Sequence, residues 1–238
     1  ERPLCCGRPL YDWGFLGQAK ALLGHILTDL RDEIRAGTPI VGLEPSCVSV
    51  FRDEAPNLYH GHADARRLAA QTQTLTEYLA SIAYRPARLD GKALVHGHCH
   101  HKSVLDFETE LAILRATGLD LDVPDTGCCG MAGAFGFERG GDHYAVAMAA
   151  GERVLLPAVR ETPEDAYVVT GGFSCREQIV QATARPVLHP AELLALALRD
   201  GRRDAAGRLE RGAQPGGDPA RPPGDRARQP TAESGVSA

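Results

Sequence analysis

The chain has 238 residues, 43% of them hydrophobic, with a formal net charge of −5 and a pI near 6.0. That is enough apolar side chain for one sizeable core or two small ones, with no broad basic field to attract nucleic acid. No apolar run approaches the ~20 residues of a membrane span, and no charged-then-apolar signal segment opens the chain.

Glu1-Arg2-Pro3-Leu4 lead, without an initial Met, straight into Cys5-Cys6-Gly7, so the expectation is a fragment of a longer protein. Leu16, Ala19, Leu23, Ile26, Leu27, Leu30 and Ile34 fall at helical spacing and predict a helix over 16–35, ended by Gly37 and Pro39. Ile40–Leu43 reads as a short buried strand that delivers Glu44-Pro45-Ser46-Cys47, with Ser46 expected to cap the next helix. Residues 53–64 read as a loop and 64–83 as a helix with Leu68, Leu75, Leu79 and Ile82 on its apolar side. Ala93-Leu94-Val95 is the next strand and ends in His96-Gly97-His98-Cys99-His100-His101-Lys102. A helix over 103–116, a strand over 119–123, the turn Gly127-Cys128-Cys129-Gly130 and a long helix over 142–160 follow. Ala166–Val169 is the last strand, leading to Gly171-Gly172-Phe173-Ser174-Cys175, then helices over 175–184 and 190–199. Residues 200–238 hold only Leu209 and Val236 as large aliphatics and no aromatics, too little to offset ordering entropy, so a disordered tail is expected.

Short apolar strands alternating with amphipathic helices predict a parallel α/β fold with cysteine motifs at strand ends. The two halves repeat: Cys-Cys-Gly, helix, strand, then Ser-Cys. Cys6 to Cys47 spans 41 positions and Cys129 to Cys175 spans 46. This predicts two pseudo-repeated βα lobes, 1–90 and 91–199, followed by the tail 200–238. The second half has one further cysteine, Cys99; its counterpart in the first half would lie upstream of Glu1, so lobe 1–90 is read as N-terminally incomplete.

Seven cysteines, an odd number without a secretory signal, favour metal ligation or redox chemistry over a disulfide framework. The cytoplasm is the expected compartment, peripheral to the inner membrane at most. Adjacent cysteines pair with each other only in a strained ring, yet both sulfurs can face one metal centre. Loops at the carboxyl ends of parallel strands converge, so Cys99, Cys128, Cys129 and Cys175 are the expected metal ligands, the number a 4Fe–4S cubane needs. Cys5, Cys6 and Cys47 form an incomplete second set. Zinc suits four thiolates equally well, a redox dithiol is a third reading, and buried small hydrophobes a fourth. His96, His98, His100 and His101 are read as packing and hydrogen-bonding groups around the cysteine loop, and alternation predicts the first three on one face. Glu44 is read as a strand-end hydrogen-bonding residue, and Lys102 and Arg176 as solvated charges. The glycine run over 130–136 lacks the spacing of a dinucleotide fingerprint.

Cys5-Cys6-Gly7, Glu44-Pro45-Ser46-Cys47, His96-Gly97-His98-Cys99-His100, Cys128-Cys129-Gly130 and Gly172-Phe173-Ser174-Cys175, in this order, resemble the CCG family, the cysteine-rich heterodisulfide-reductase-B-like modules. More closely they resemble the C-terminal region of bacterial FAD-linked oxidases, over about residues 1–199. That family's Cys-x-x-Cys is degenerate here, with Glu44 and Gly172 at the first positions. The resemblance implies an iron–sulfur electron-transfer portion of an FAD-linked 2-hydroxyacid oxidoreductase of the D-lactate, glycolate or 2-hydroxyglutarate type. FAD would sit in a part preceding this chain. The implied partners are a flavin dehydrogenase domain or subunit and an acceptor, a quinone or other carrier. No general base or hydride chemistry is implied, and the fragment alone should not turn over substrate. A heterodisulfide-reductase-type catalytic subunit and a zinc-stabilised interaction module are the alternatives.

Overall fold

The structure, a computed structural model, describes residues 3–205, so most of the expected tail and the first two residues lie outside it. The elements of the first half are α1 (Arg8–Asp12), α2 (Leu16–Asp29), α3 (Arg31–Ala36), β1 (Ile40–Gly42), α4 (Pro45–Ser49), α5 (Ala55–Leu58), α6 (Ala63–Gln71), β2 (Thr72–Thr74) and α7 (Leu75–Ser81). The second half runs β3 (Lys92–His96), α8 (Cys99–Val104), α9 (Phe107–Arg115), β4 (Asp120–Asp122), α10 (His143–Gly151), α11 (Leu155–Glu161), β5 (Tyr167–Thr170), α12 (Phe173–Thr183) and α13 (Pro190–Ala205).

Each half has its own parallel sheet. β1 pairs β2 with Ile40 opposite Thr72 and Gly42 opposite Thr74. The second sheet has the order β4-β3-β5, with β3 central. Ala93 stands opposite Tyr167 and His96 opposite Thr170. A central parallel strand is covered on both faces, which is why Ala93-Leu94-Val95 is an unbroken apolar run. Leu94 and Val168 face one core with Leu155, Leu156, Val159 and Ile179. Ala93, Val95 and Val169 face the other with Leu111, Leu114, Leu193 and Ala197. A smaller core in the first half joins Ile26, Leu27, Ile34 and Leu68. Because β3 and β5 are parallel and in register, the segments following them, one carrying Cys99 and the other Cys175, leave from the same sheet edge.

Several elements differ from the sequence-based expectations. The helix expected over 64–83 is α6 and α7 with β2 between them. Thr72 and Thr74 are buried there, a position β-branched side chains fill well. The loop expected over 53–64 begins with a π-helical turn, Val50–Glu54, and α5. The helix expected over 142–160 breaks at residues 152–154 into α10 and α11. The break places Pro157 in the first turn of α11, where its missing N–H costs nothing; in a continuous helix its ring would strike the preceding turn. The helix over 16–35 is interrupted at Leu30, and α13 continues past 199 to Ala205. The cap of α4 is Glu44 rather than Ser46: its side chain accepts from Ser46 N.

Candidate functional site

The two Cys-Cys-Gly turns are built alike. Gly7 has φ 82° and Gly130 φ 92°, left-handed conformations that a side chain disfavours. A Cβ on Gly130 would stand against Ala147 O of α10, and one on Gly7 3.2 Å from the Ala19 backbone of α2, so each glycine lets its turn lie close against a helix further along the same half. Gly7 N donates to Cys5 Sγ at 3.4 Å, and Gly130 N to Cys128 Sγ at 3.3 Å. The second cysteine of each pair reaches across the half: Cys6 Sγ lies 3.0 Å from Cys47 Sγ, and Cys129 Sγ 3.3 Å from Cys175 Sγ.

In the second half Cys129 and Cys175 are buried, Cys99 is half-buried and Cys128 is exposed. Cys128 is held far below the ordinary thiol range by hydrogen bonds from Cys129 and then Cys99. Cys175 is also held well below it, first by Cys129 and, after the opposing effect of burial, by His96. Their partners move the other way: Cys99 is pushed up by its bond to Cys128, and Cys129 by its bonds to Cys128 and Cys175. Cys129 and Cys175 are in direct contact, and the ionisation of each of the four thiols is tied to its neighbours: charge on Cys128 and Cys175 disfavours it on Cys99 and Cys129. Full deprotonation would leave adjacent thiolates repelling one another unless a cation lay among them. Such a soft-donor group binds thiophilic metals.

In the first half Cys6 is lowered to about 7 by the Cys47 thiol, helped by the Arg8 amide and guanidinium, while Cys47 is pushed up by the same contact and by burial. Arg8 is buried, and its Nη1 pairs with Glu54 Oε1 at 2.6 Å and Asp12 Oδ1 at 3.2 Å.

A cavity of about 390 Å³ lies between residues of the two halves, against Cys99, Cys128 and Cys129. Arg8, Trp13 and Ser46 line it from the first half; His98, Cys99, Cys128 and Phe135 are among those lining it from the second. Trp13 and Phe135 were not singled out by sequence reasoning, since each stands outside any cysteine motif.

The histidines do not share one face, because the strand ends at His96 and a helix starts at Cys99. His96 is fully buried, its Nδ1 2.6 Å from Thr126 Oγ1 and its Nε2 without a hydrogen-bond partner among the described residues. His98 caps α8 and stacks on His100 at 5.3 Å between centroids. A ring nitrogen of each and Cys99 Sγ lie within 4.8 Å of one another. His101 is buried, its Nδ1 3.7 Å from Oε2 of buried Glu110. Lys102 Nζ donates to Gly127 O at 2.9 Å, tying α8 to the Cys128 turn, and Arg176 pairs with Glu192 at 3.0 Å. Glu44 binds both helix starts: Oε1 accepts from Ser46 N at 3.2 Å, and Oε2 from Phe173 N at 2.8 Å.

No family model matches the chain. It is 30% identical over 203 residues to an anaerobic glycerol-3-phosphate dehydrogenase subunit of Escherichia coli (strain K12), covering 82% of this chain and 49% of that protein. It is 30% identical over 193 residues to the D-2-hydroxyglutarate dehydrogenase of Pseudomonas putida, covering 79% of this chain and 18% of that protein. Lactate utilization protein A of Lysinibacillus sphaericus is 28% identical over 212 residues, 82% of this chain and 87% of that protein. The chain thus spans about half the length of the first of these relatives. Dehydrogenases occur twice among them, which makes oxidoreductase the coarse class of the similarity. Among the described residues no helix is long and apolar enough to cross a membrane.

Proposed function

We propose that the chain is the iron–sulfur, electron-carrying part of a flavin-linked dehydrogenase that oxidises a 2-hydroxyacid or a related hydroxylated acid. The observation that carries this reading is the group of four sulfurs, Cys99, Cys128, Cys129 and Cys175, in which Cys129 and Cys175 stand 3.3 Å apart and the ionisation of each thiol is tied to its neighbours. Its donor chemistry fits a 4Fe–4S centre, which takes four cysteine thiolates and supplies one-electron storage and release. Cys5, Cys6 and Cys47 are three donors of a second set in the same arrangement. The names of two relatives, a D-2-hydroxyglutarate dehydrogenase and a lactate utilization protein, support the 2-hydroxyacid class, and the glycerol-3-phosphate dehydrogenase subunit supports the dehydrogenase role alone.

The chain's own residues hold and screen the site. Gly127 and Gly130 turn the backbone so that both cysteine sulfurs reach it, and Lys102 fixes that turn to the helix of Cys99. Cys175 lies in the first turn of the 11-residue α12, where the positive end of the helix dipole favours negative charge. Trp13 and Phe135 give the cavity beside Cys99 and Cys128 an apolar lining. Electrons would arrive from FAD on a partner domain or subunit and leave to a quinone or other carrier, at the cytoplasmic face of the inner membrane.

Anaerobic purification followed by iron, acid-labile sulfide and zinc analysis tests this. We expect iron and sulfide in near-equal amounts, and a loss of most of both in C129S or C175S. A folded chain free of iron overturns the reading, and a colourless chain holding zinc in its place makes the site structural.

A further inference from the structure

His98 is the one histidine at the site whose proton position is dictated by its surroundings. Its Nδ1 accepts the backbone N–H of His100 at 3.2 Å. A backbone amide can only donate, so Nδ1 carries no hydrogen, and the neutral ring keeps its proton on Nε2. His96 is not so constrained, since Thr126 Oγ1 at 2.6 Å can donate or accept. His100 has only a 4.0 Å approach from Nδ1 to Cys99 Sγ.

The ring of His98 is buried and lies against Gly172. A Cβ at Gly172 would stand 2.3 Å from His98 Cδ2, the carbon bonded to Nε2, and 3.3 Å from Cys175 Sγ. The imidazole edge and the Cys175 sulfur therefore occupy the space that any side chain at 172 would need. The same ring lines the cavity that Cys99 and Cys128 line.

We propose that His98 is a neutral hydrogen-bond donor, through Nε2–H, to the sulfur gathered at Cys99, Cys128, Cys129 and Cys175, and is not itself a metal ligand. A histidine that binds a metal through one nitrogen almost always donates an N–H from the other. Here the other nitrogen faces a donor. Ligation through Nε2 would leave a ring with no proton at all, or break the cap of α8. As a donor, His98 leaves the four-thiol set intact and stabilises the more electron-rich state of the centre, which raises its reduction potential. His98 is thus a positioning and tuning residue; this role rests on the iron–sulfur reading above.

Two measurements test it. Nitrogen-15 NMR of the metal-free chain reports the tautomer directly: we expect Nε2–H for His98, and Nδ1–H overturns the proposal whatever the chain binds. In the iron-loaded chain H98N is the informative variant, because Asn keeps an N-cap oxygen but cannot extend an N–H to the sulfurs. We expect H98N to hold the same iron and sulfide as the parent and to show a lower midpoint in an EPR-monitored redox titration. The longer carboxamide of H98Q should return part of the shift. An unshifted midpoint in H98N, or loss of its iron as expected of a removed ligand, overturns the proposal. A parent chain that takes up no iron at all instead sinks the iron–sulfur reading, and the tautomer measurement still stands.

Discussion

Glu110 and His101 form a buried pair with no role in holding the sulfurs. Glu110 is 4% exposed and His101 1%, and among the described residues Glu110 Oε1 and both ring nitrogens of His101 lack hydrogen-bond partners. Burial pushes the Glu110 carboxyl up to about 8 and His101 down to about 4, so both are neutral in the folded state near pH 6. The space they share, lined also by Thr74, Thr76 and His189, is about 10 Å³, enough for at most one water. A carboxyl with a raised folded pKa stabilises the fold fully below its unfolded value, and that stability is lost as pH rises to about 8. Neutral His101 works in the opposite sense, its contribution lost as pH falls from its unfolded value of about 6.5 towards about 4. The two slopes oppose each other at mildly acidic pH, and above about pH 6.5 only the Glu110 slope remains, at ~1.4 kcal/mol per pH unit. Urea unfolding of E110Q against the parent, in the same metal state, should give nearly equal stabilities at about pH 4 and a variant that becomes progressively more stable than the parent towards pH 8. Parallel curves across that range would show that the carboxyl is already ionised at low pH.

At the scale of elements, Gly130 and Gly7 are matched turns in different surroundings. In G130A the left-handed backbone and the 2.4 Å approach to Ala147 O act together, at a cost of about 3 kcal/mol. G7A meets the same backbone strain with looser 3.2 Å contacts and should cost about 1–2 kcal/mol. Equal losses by chemical denaturation would remove the packing distinction between the turns. The matched turns themselves were legible in the sequence, because Cys-Cys-Gly and Ser-Cys recur at similar separations and apolar runs mark β1, β3 and β5. β2 was not legible. It is three residues long, and helical periodicity runs on through Leu68, Leu75 and Leu79 on either side of it. A local signal was present nonetheless: Thr74 and Glu77 form the capping box that starts α7. The break at 152–154 was also signalled, by Pro157, and was overridden by the long apolar pattern of 142–160. The site was legible as a list of sulfurs. How the histidines are disposed around them was not, because that depends on the change from strand to helix between His96 and Cys99. The bridging of two helix starts by Glu44 was equally hidden, since its partner lies 129 positions away.

That bridge connects the two halves of the molecule. Glu44 follows β1 of the first half and gives one oxygen to the start of α4, which carries Cys47, and the other to the start of α12, which carries Cys175. His189 Nε2 meets Leu43 O at 2.9 Å, a second polar link between the same strand end and the second half. A carboxylate can accept from both helix starts at once; Gln in its place can accept with one arm only and would set a donor against the other N–H. E44A therefore removes two caps from one position. Lost caps cost about 1 kcal/mol each, so E44A should lower global stability by about 2 kcal/mol. Hydrogen exchange gives the sharper readout. In E44A the amides of Ser46 and Phe173 should lose protection together, although they open helices that follow strands of different sheets and carry different cysteines. E44Q should expose one of them and leave the other protected. Loss at Ser46 alone in E44A would mean that α12 is held in place without the first half.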